Sequence, residues 1–539
     1  MTAFDPEPPS TTDARSRRTV LRTLAGLALA GGLAGCNDTS GASTDSPVAR
    51  RTGTATPGST AMPTPTVTAP PMETQTPSPT STDTSTLTPT ATATGSPTPA
   101  GRETARKFVA HLRADEFDVA HSLFTDTLAS QMPRSTLERY WLGLTGQHGA
   151  VESVGSVEAD TRDGAETLVV PVDCAEGDQP IELVVDGEGR ISGLWFPSEY
   201  SSPDYVDESA FAERTLTLEP EGCSLPATLS VPASDDGGTT TATATAAATT
   251  ASTTTADGSA TDTAGADTAD GVPGVVLVHG SGAHDRDETI YSNKPFRDIA
   301  QGLASRGVAV LRYEKRTYAC DLPRSEWAID DIIVDDAVHA LGVLREQDEV
   351  DPERAVVAGH SVGATCVPRI AERDGSVAGG AILAGNARPF TEVYPEQVKH
   401  IFEVQGGLSA REERQLSTVK QLMSAVEDGS VADDREIGPL PGIWWKTLYE
   451  YDQVATANRV DAPLFVAHGG RDFQIPIDPA LSGWREGLDD PDAHRFERYS
   501  PLSHLFQSGT EPSLTTEYVF PDNVEETLVT DLADWVAGL

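Results

Sequence analysis

The stretch Gly359-His360-Ser361-Val362-Gly363 follows the apolar run Ala355-Val356-Val357-Ala358 and precedes a segment with a helical pattern. A Gly-x-Ser-x-Gly between a strand and a helix is typical of a nucleophile elbow, in which small glycines let the backbone turn sharply and leave the serine hydroxyl exposed. The motif alone is weak evidence for catalysis. The hypothesis that Ser361 is a nucleophile therefore depends on the other residues that the fold brings to it.

Two residues further along the chain complete a candidate triad. Asp472 ends the sequence Gly469-Gly470-Arg471-Asp472 after a predicted strand, and His504 lies just beyond the next predicted strand. Both are at carboxyl ends of strands, the edge at which an open parallel sheet places its site. A serine needs a base to remove its proton, and the base needs an acid to orient it. We therefore predict Ser361 as nucleophile, His504 as general base and Asp472 as acid.

A glycine-rich turn upstream supplies candidate donors for an oxyanion hole. His279-Gly280-Ser281-Gly282 directly follows the apolar run 274–278, which is suited to a strand buried on both faces. We expect the backbone amides of Val362, next to the nucleophile, and of Ser281 to bind the oxyanion. Losing one such donor typically costs about 2.7–4 kcal/mol of transition-state stabilisation.

Several residues near these motifs have competing interpretations. His468 is the second candidate for the base, whereas His360 and His279 are expected to pack against or support the neighbouring turns. Asp461 and Asp478 are alternative acids, although their positions suit the role less well. The assignment of His504 and Asp472 is therefore preferred on position and chain order.

Two further groups are candidates for shaping the site. Asp285-Arg286-Asp287 is expected to hold the oxyanion turn through an ion pair, with direct contact to substrate as the less favoured alternative. Trp444, Trp445 and Tyr449 are candidates for lining an acyl pocket, although aromatic residues at helical spacing are more often plain core.

The pattern around these motifs predicts an α/β fold. Strands and helices alternate from residue 274 to 536, which favours a doubly wound, mostly parallel sheet, and two strands at 211–218 and 224–231 are expected to open the same domain. Residues 388–457 interrupt the alternation with helical segments and are predicted to form a lid or cap. We interpret the Thr/Ala/Ser-rich residues 233–270 as a disordered insertion, with a domain linker as the alternative.

A smaller α+β domain is predicted before this one, at residues 101–198. Three short amphipathic helices are followed by four strand-like runs at 151–159, 166–174, 179–186 and 190–196. The domain shows no acid, base or metal constellation. Its role is open between substrate recognition, self-association and simple packing.

Further motifs carry a resemblance to known families. Asp285-Arg286-Asp287-Glu288, Asn293-Lys294-Pro295-Phe296 and Arg312-Tyr313-Glu314-Lys315-Arg316, together with the oxyanion turn, resemble the serine-hydrolase branch of the α/β-hydrolase family. That branch is related to dienelactone hydrolases and prolyl-oligopeptidase-like domains, and the resemblance covers residues 205–539. It implies esterase-type acyl transfer to a small-molecule ester through an acyl-serine, with neither metal nor cofactor.

The resemblance has limits and leaves alternatives. Dienelactone hydrolases use a cysteine nucleophile, and the propeller of prolyl oligopeptidases is missing, so peptide cleavage is less favoured. A peptidase or acyltransferase on the same triad, or an inactive binding lipoprotein, remains an alternative. Residues 101–198 resemble, in element order and in Gly193-Leu194-Trp195-Phe196, the NTF2-like domain of unknown function found ahead of some α/β-hydrolases.

The amino terminus is predicted to be an export signal. Ser16-Arg17-Arg18-Thr19-Val20-Leu21-Arg22 resembles a twin-arginine motif and is followed by an apolar stretch at 24–33. Leu33-Ala34-Gly35-Cys36 resembles a lipobox, so residues 1–36 predict a lipoprotein signal with Cys36 as the lipidated residue. A secreted, unlipidated protein is the alternative. Residues 37–100, rich in Thr, Ser and Pro, are expected to be a disordered stalk.

The acidic composition of the chain restricts the classes of partner that it can bind. The 539 residues carry 39 Lys+Arg against 82 Asp+Glu, a net charge of −43, which disfavours nucleic acid and anionic lipid surfaces. Scarce lysine and widespread acidity favour a halophilic, archaeal source, because concentrated salt screens self-repulsion. Apart from Cys36 there are four cysteines, expected to be buried free thiols, with a Cys174–Cys223 bridge as an unsupported alternative. The oligomeric state is left open.

Overall fold

The computed structural model describes residues 99–162, 165–233 and 271–539. The predicted signal at 1–36, Cys36, nearly all of the predicted stalk at 37–100 and nearly all of the predicted insertion at 233–270 lie outside these ranges. Within the described ranges, no helix combines the length and the apolar character needed to cross a lipid bilayer.

The small domain consists of helices followed by antiparallel strands, in the predicted order. Strands β2, β3, β5 and β6 form a four-stranded antiparallel sheet, and β1 pairs with β4 in a separate ribbon. The helices bury their apolar faces against these strands. The elements are α1 (Pro99–Arg113), α2 (Phe117–Ser122), α3 (Asp126–Gln131), α4 (Arg134–His148), β1 (Val151–Val154), β2 (Glu158–Arg162), β3 (Ala165–Val170), β4 (Val172–Cys174), β5 (Ile181–Val185) and β6 (Ile191–Trp195).

Two details of the predicted small domain were wrong. The described part has a fourth helix, α3, which the predicted set of three omits. The predicted strands at 151–159 and 166–174 are each divided in two. Pro171 has no amide proton to donate and interrupts the second strand, and its carbonyl accepts from the amide of Gly155, where the first strand breaks. The chain therefore passes between two small sheets at this point.

The large domain is built on an eight-stranded sheet of order β16-β15-β12-β11-β9-β10-β8-β7. The pairs β7–β8 and β8–β10 are antiparallel and the other neighbours are parallel. The strands are β7 (Phe211–Leu218), β8 (Leu225–Pro232), β9 (Val272–Val278), β10 (Ala309–Tyr313), β11 (Val350–His360), β12 (Gly379–Leu383), β15 (Leu464–Gly469) and β16 (Arg495–Tyr499).

Helices cover both faces of this sheet, which confirms the doubly wound α/β fold class. Neighbouring residues of β11 pack in opposite layers: Val356 lies with α5 (Pro295–Ala304) and a carboxyl-terminal helix, and Val357 with the helices of the other face. The central strands are therefore apolar on both sides. The helices of the second face are α7 (Asp335–Arg345), α8 (Val362–Asp374) and α13 (Ile477–Gly487), and the carboxyl-terminal helix is α14 (Glu526–Ala537); α6 (Arg316–Ala319) is a single turn after β10.

Residues 388–457, the predicted cap, lie between β12 and β15 and are mainly helical. They contain α9 (Phe390–Val404), α10 (Ala410–Glu427), a short hairpin of β13 (Glu436–Ile437) and β14 (Leu440–Pro441), α11 (Gly442–Tyr449) and α12 (Gln453–Ala457). The strands on either side of residues 233–270 belong to one sheet, since β8 and β9 both pair with β10.

The cysteine prediction was wrong for two residues. Cys223 and Cys320 form a disulfide across a sequence separation of 97, whereas Cys174 and Cys366 are buried free thiols. Cys223 precedes β8 and Cys320 follows the strand paired with it, β10, so strand pairing brings the two together. Spacing along the chain does not reveal this neighbourhood. Cys174 is in the core of the small domain and is not paired with Cys223.

Candidate active site

Ser361 sits at a sharp turn between β11 and α8, with the strained backbone angles φ 56° and ψ −118°. The two glycines of the motif allow this turn through close backbone approach. A Cβ on Gly359 would lie 2.4 Å from the carbonyl oxygen of Gly363, and one on Gly363 would lie 2.4 Å from the carbonyl oxygen of Val278. Neither position has room for a side chain, so the elbow requires glycine at both.

His504 bridges Ser361 and Asp472. Its Nε2 lies 3.0 Å from Ser361 Oγ, and its Nδ1 lies 2.7 Å from Asp472 Oδ2. The other oxygen of Asp472 accepts hydrogen bonds of 2.8 Å from the amides of Gln474 and Ile475. The carboxylate is thereby fixed, with Oδ2 turned to the imidazole. The structure thus brings the three residues of the predicted triad together at the carboxyl ends of β11, β15 and β16.

A small pocket opens beside the serine. The space open to the centre of a water molecule is about 20 Å³. Ser281 and Val362, the predicted oxyanion donors, both line it next to Ser361. The amide of Gly280 donates to Glu288 Oε1 at 2.6 Å, which leaves Ser281 as the better donor from this turn.

Only one of the three predicted aromatic residues lines this pocket within the described chain. Trp444 does, but Trp445 donates from its indole to Ile437 O and packs on Phe390 and Tyr394, and Tyr449 is 36% exposed. Trp445 and Tyr449 therefore do not line this pocket. Because one residue rotates a helix by about 100°, positions 445 and 449 of α11 lie to one side of the stripe formed by 444 and 448.

Other lining residues were missed by sequence reasoning. They come from segments far apart in the chain, and helical spacing from Trp444 offered a signal for Leu448 alone. They are Thr365, Asn386, Arg388, Phe390, Leu448, Gln453 and Ile475.

A buried charged cluster beneath the oxyanion turn was also missed. Glu288, besides binding the amide of Gly280, contacts His360 Nδ1 at 3.0 Å, and His360 Nε2 lies 3.0 Å from the carbonyl oxygen of His504. Lys315 Nζ donates to the carbonyl of Gly280. The side chains of Glu288, His360 and Lys315 therefore connect the oxyanion turn, the elbow and the base loop.

The pKa values in this cluster follow from burial and pairing. Burial disfavours the charged form of each group, but His360 lowers the pKa of Glu288 to about 2, and Glu288 raises that of His360. Each group therefore favours the charged form of the other. Burial lowers the pKa of Lys315 to about 8. In the sequence, Glu288 and Lys315 lie within charged motifs, and only the fold shows that these two positions are buried.

The other histidines and aspartates that were considered as base or acid do not contact the hydroxyl of Ser361. Burial lowers the pKa of His279 to about 3 and that of His468 to about 4, so both rings are neutral near pH 7. His279 Nε2 hydrogen-bonds the carbonyl of Asp285, and His468 is enclosed within β15. It is His504 that contacts Ser361. Asp461 is exposed, and Asp478 pairs with Arg498.

The segment after the oxyanion turn is held by ion pairs, as expected. Arg286 pairs with Glu314 at 3.0 Å. Asp287 pairs with Lys294 at 2.9 Å and with Arg312 at 2.5 Å. These contacts fix the loop that carries Glu288.

Comparison with known proteins agrees with this architecture. Residues 275–507 match the model described as "Alpha/beta hydrolase family". These residues have the alpha/beta-hydrolase fold. Residues 105–194 match the model described as "Protein of unknown function (DUF3887)" and make up most of the small domain. The prediction of a small domain ahead of a hydrolase is confirmed in this form.

A relative with a known activity covers most of this chain. The chain is 29% identical over 433 residues to "Esterase EstD" of Thermotoga maritima, which covers 80% of this chain and 93% of that protein. The predicted hydrolase class is confirmed by this relative together with the domain match.

Solved structures with a similar fold include an acylaminoacyl peptidase from Pyrococcus horikoshii (13% identity, 72% of this chain, 50% of that chain, TM-score 0.38). Another is Est1E from Butyrivibrio proteoclasticus (13% identity, 60% of this chain, 96% of that chain, TM-score 0.36). Similarity at this level carries no functional argument.

Replacing Glu288 by Leu should lower kcat for ester hydrolysis on the order of tenfold or more, because the amide of Gly280 and the ring of His360 lose their buried partner. Glu288→Gln keeps an acceptor for Gly280 and should retain more activity. The matched control is Asp374→Asn, which removes a buried carboxylate paired with Arg345 at the far end of α8. Equal losses in Glu288→Leu and Asp374→Asn would contradict a specific role for Glu288.

Proposed function

We propose that this chain is a serine hydrolase that cleaves carboxylic esters of small molecules through an acyl-serine intermediate. The observation that carries the proposal is the continuous contact from Ser361 Oγ to His504 Nε2 and from His504 Nδ1 to Asp472 Oδ2. The strained turn at Ser361 supports it, because it presents the hydroxyl at the mouth of the pocket. The relative named as an esterase supports the choice of ester over amide.

In the acylation half of the reaction, Ser361 Oγ attacks the ester carbonyl carbon while His504 Nε2 takes the hydroxyl proton. The carbonyl π electrons move to the oxygen, and the resulting oxyanion is bound by the amides of Ser281 and Val362. The amino-terminal end of α8 adds a favourable dipole at the same place. When the intermediate collapses, the ester C–O bond breaks and His504 gives its proton to the departing alcohol.

Deacylation repeats these steps with water. His504 removes a proton from water, which attacks the acyl carbon, and Ser361 leaves with the proton returned by His504. Asp472 Oδ2 accepts from Nδ1 throughout, which keeps Nε2 directed at the serine and stabilises the imidazolium. The products are a carboxylic acid and an alcohol.

The pocket favours a short acyl group. It is narrow, and its apolar wall is formed by Phe390, Trp444, Leu448 and Ile475. The polar contacts of Gln453 with the carbonyls of Asn386 and Arg388 hold one side of it. A long acyl chain would have to displace these side chains.

Replacing Ser361 by Ala should abolish hydrolysis of p-nitrophenyl acetate, since the variant lacks the nucleophile while the fold is retained. A residual rate on the order of 10³–10⁴ above that in water should remain through binding and the oxyanion donors, which is about 10⁶ below the parent chain. The measurement is initial rate in concentrated salt, with circular dichroism as the folding control. Parent-like activity in Ser361→Ala would refute the proposal.

Acyl length provides a second prediction. Acetate and butyrate esters of p-nitrophenol should have higher kcat/KM than the decanoate ester. Leu448→Ala, which enlarges the pocket, should raise the decanoate-to-acetate ratio of kcat/KM several-fold, because each buried methylene is worth about 0.8 kcal/mol. Tyr449→Ala, one residue along the same helix but directed away from the pocket, is the control. A ratio unchanged in Leu448→Ala would contradict the assigned acyl pocket.

We also propose that the protein is exported by the twin-arginine route and anchored by a lipid on Cys36. The support is the order of the arginine pair, apolar stretch and lipobox in residues 1–36. The net charge of −43 fits a protein that works in concentrated salt outside the cell. The substrate would then be an ester met at the outer face of the membrane.

Replacing Cys36 by Ser should move the protein from the membrane fraction to the medium in a host that processes twin-arginine lipoproteins, because the lipid acceptor is lost. Replacing both Arg17 and Arg18 by Lys should retain it in the cytoplasm. Immunoblots of the three fractions provide the measurement. Membrane association that persists in Cys36→Ser would contradict lipid anchoring at this residue.

A further inference from the structure

We propose that the small domain positions the acid and base of the hydrolytic site through the carboxyl-terminal turn of α4. This inference rests on the proposed roles of Ser361, His504 and Asp472. It assigns the small domain a function in catalysis that does not involve contact with substrate.

The connection begins at Arg471, the residue before Asp472. Its backbone amide donates to the carbonyl of Leu502 at 2.9 Å, two residues before His504. The acid loop and the base loop are therefore joined directly at Arg471. Whatever holds the Arg471 side chain also influences the separation of Asp472 and His504.

The Arg471 side chain is held by the small domain and by a segment that packs on it. It is 6% exposed, and its Nη2 donates to the carbonyls of Gly146 at 3.4 Å and Thr510 at 2.7 Å and to Glu517 Oε2 at 2.7 Å. Gly146 lies in the last turn of α4, where free carbonyls and the helix dipole favour a cation. A guanidinium at this place forms charge-assisted hydrogen bonds with both domains.

The segment after the base loop, residues 508–522, docks on the same helix. Thr510 donates from its amide to Gly146 O at 2.6 Å and from its hydroxyl to Thr145 O at 2.9 Å. Gln147, on α4, donates to the carbonyl of Ser508 and to Asp522. Further along, Thr516 donates from its hydroxyl to the carbonyl of Arg139 at 2.9 Å. The chain that leaves the base loop is thus fixed along the length of α4.

Packing is tight where α4 meets residues 508–522, a contact that we call the seam. A Cβ on Gly143 of α4 would lie 2.5 Å from the carbonyl oxygen of Thr516. Phe520 of the large domain is fully buried in the core of the small domain, where its ring lies 5.5 Å from that of Phe196. The two domains therefore share a core, and a shift of α4 must move the segment that follows His504.

The pocket argues against a role in substrate contact. All the residues that line it, within the described chain, fall between Ser281 and Ile475 and so belong to the large domain. Catalysis depends strongly on geometry, since a misplacement of about 1 Å can cost about 100-fold in rate. The small domain affects the site where Arg471 links the acid and base loops.

The test uses the full chain with Gly143→Val, whose side chain cannot fit against Thr516. We expect kcat for p-nitrophenyl butyrate to fall about tenfold or more while KM changes less than about twofold, because the pocket is untouched. The matched control is Leu183→Ala, which removes a fully buried side chain from the core of the small domain on β5, away from the seam. Melting temperatures of both variants are measured alongside.

Two milder variants, Gln147→Leu and Thr510→Val, remove hydrogen bonds of the seam without a steric clash. They test the same inference if Gly143→Val does not fold. Each should lower kcat a few-fold with KM retained. A loss of kcat in Leu183→Ala as large as in the seam variants, at equal loss of melting temperature, would overturn the inference. Unchanged kcat in the seam variants, with Ser361→Ala inactive, would overturn it and leave the hydrolase proposal standing.

Discussion

The close approach of three backbone segments at the elbow determines the rest of the site. With glycine at 359 and 363, the first turn of α8 packs directly on β11 and on the end of β9, and Ser361 adopts a strained conformation between them. That conformation fixes the backbone of the serine and so the point from which its hydroxyl projects. The acid and the base must therefore be brought to it by loops whose own positions are fixed by other contacts.

Those contacts come from two sides. Beneath the serine, the buried pair of Glu288 and His360 links the oxyanion turn to the backbone of His504. On the opposite side, Arg471 links the loops of Asp472 and His504 to the small domain. Both links involve buried polar groups, and removing one partner of such a group is costly because the other is left buried without it. The two-domain arrangement is then part of the catalytic geometry.

Local patterns were sufficient to predict the sheet, the elbow and the candidate acid and base. Each of these depends on a short motif next to a strand, and chain order supplies the rest. The pairing of Cys223 with Cys320 and the burial of Glu288 and Lys315 depend on which strands become neighbours, which no local pattern shows. The orientation of Trp445 was missed for a related reason. The spacing of apolar residues predicts a helix, but it does not show which face of that helix is directed at the pocket.

The central claim is that Ser361 carries the acyl group. The most direct measurement is peptide mass spectrometry of the full chain after reaction with a fluorophosphonate, which mimics the tetrahedral intermediate and stays on the nucleophile. The account predicts one adduct on the peptide containing Ser361, with labelling prevented by prior unfolding. An adduct on another residue, or none on the folded and active protein, would contradict it.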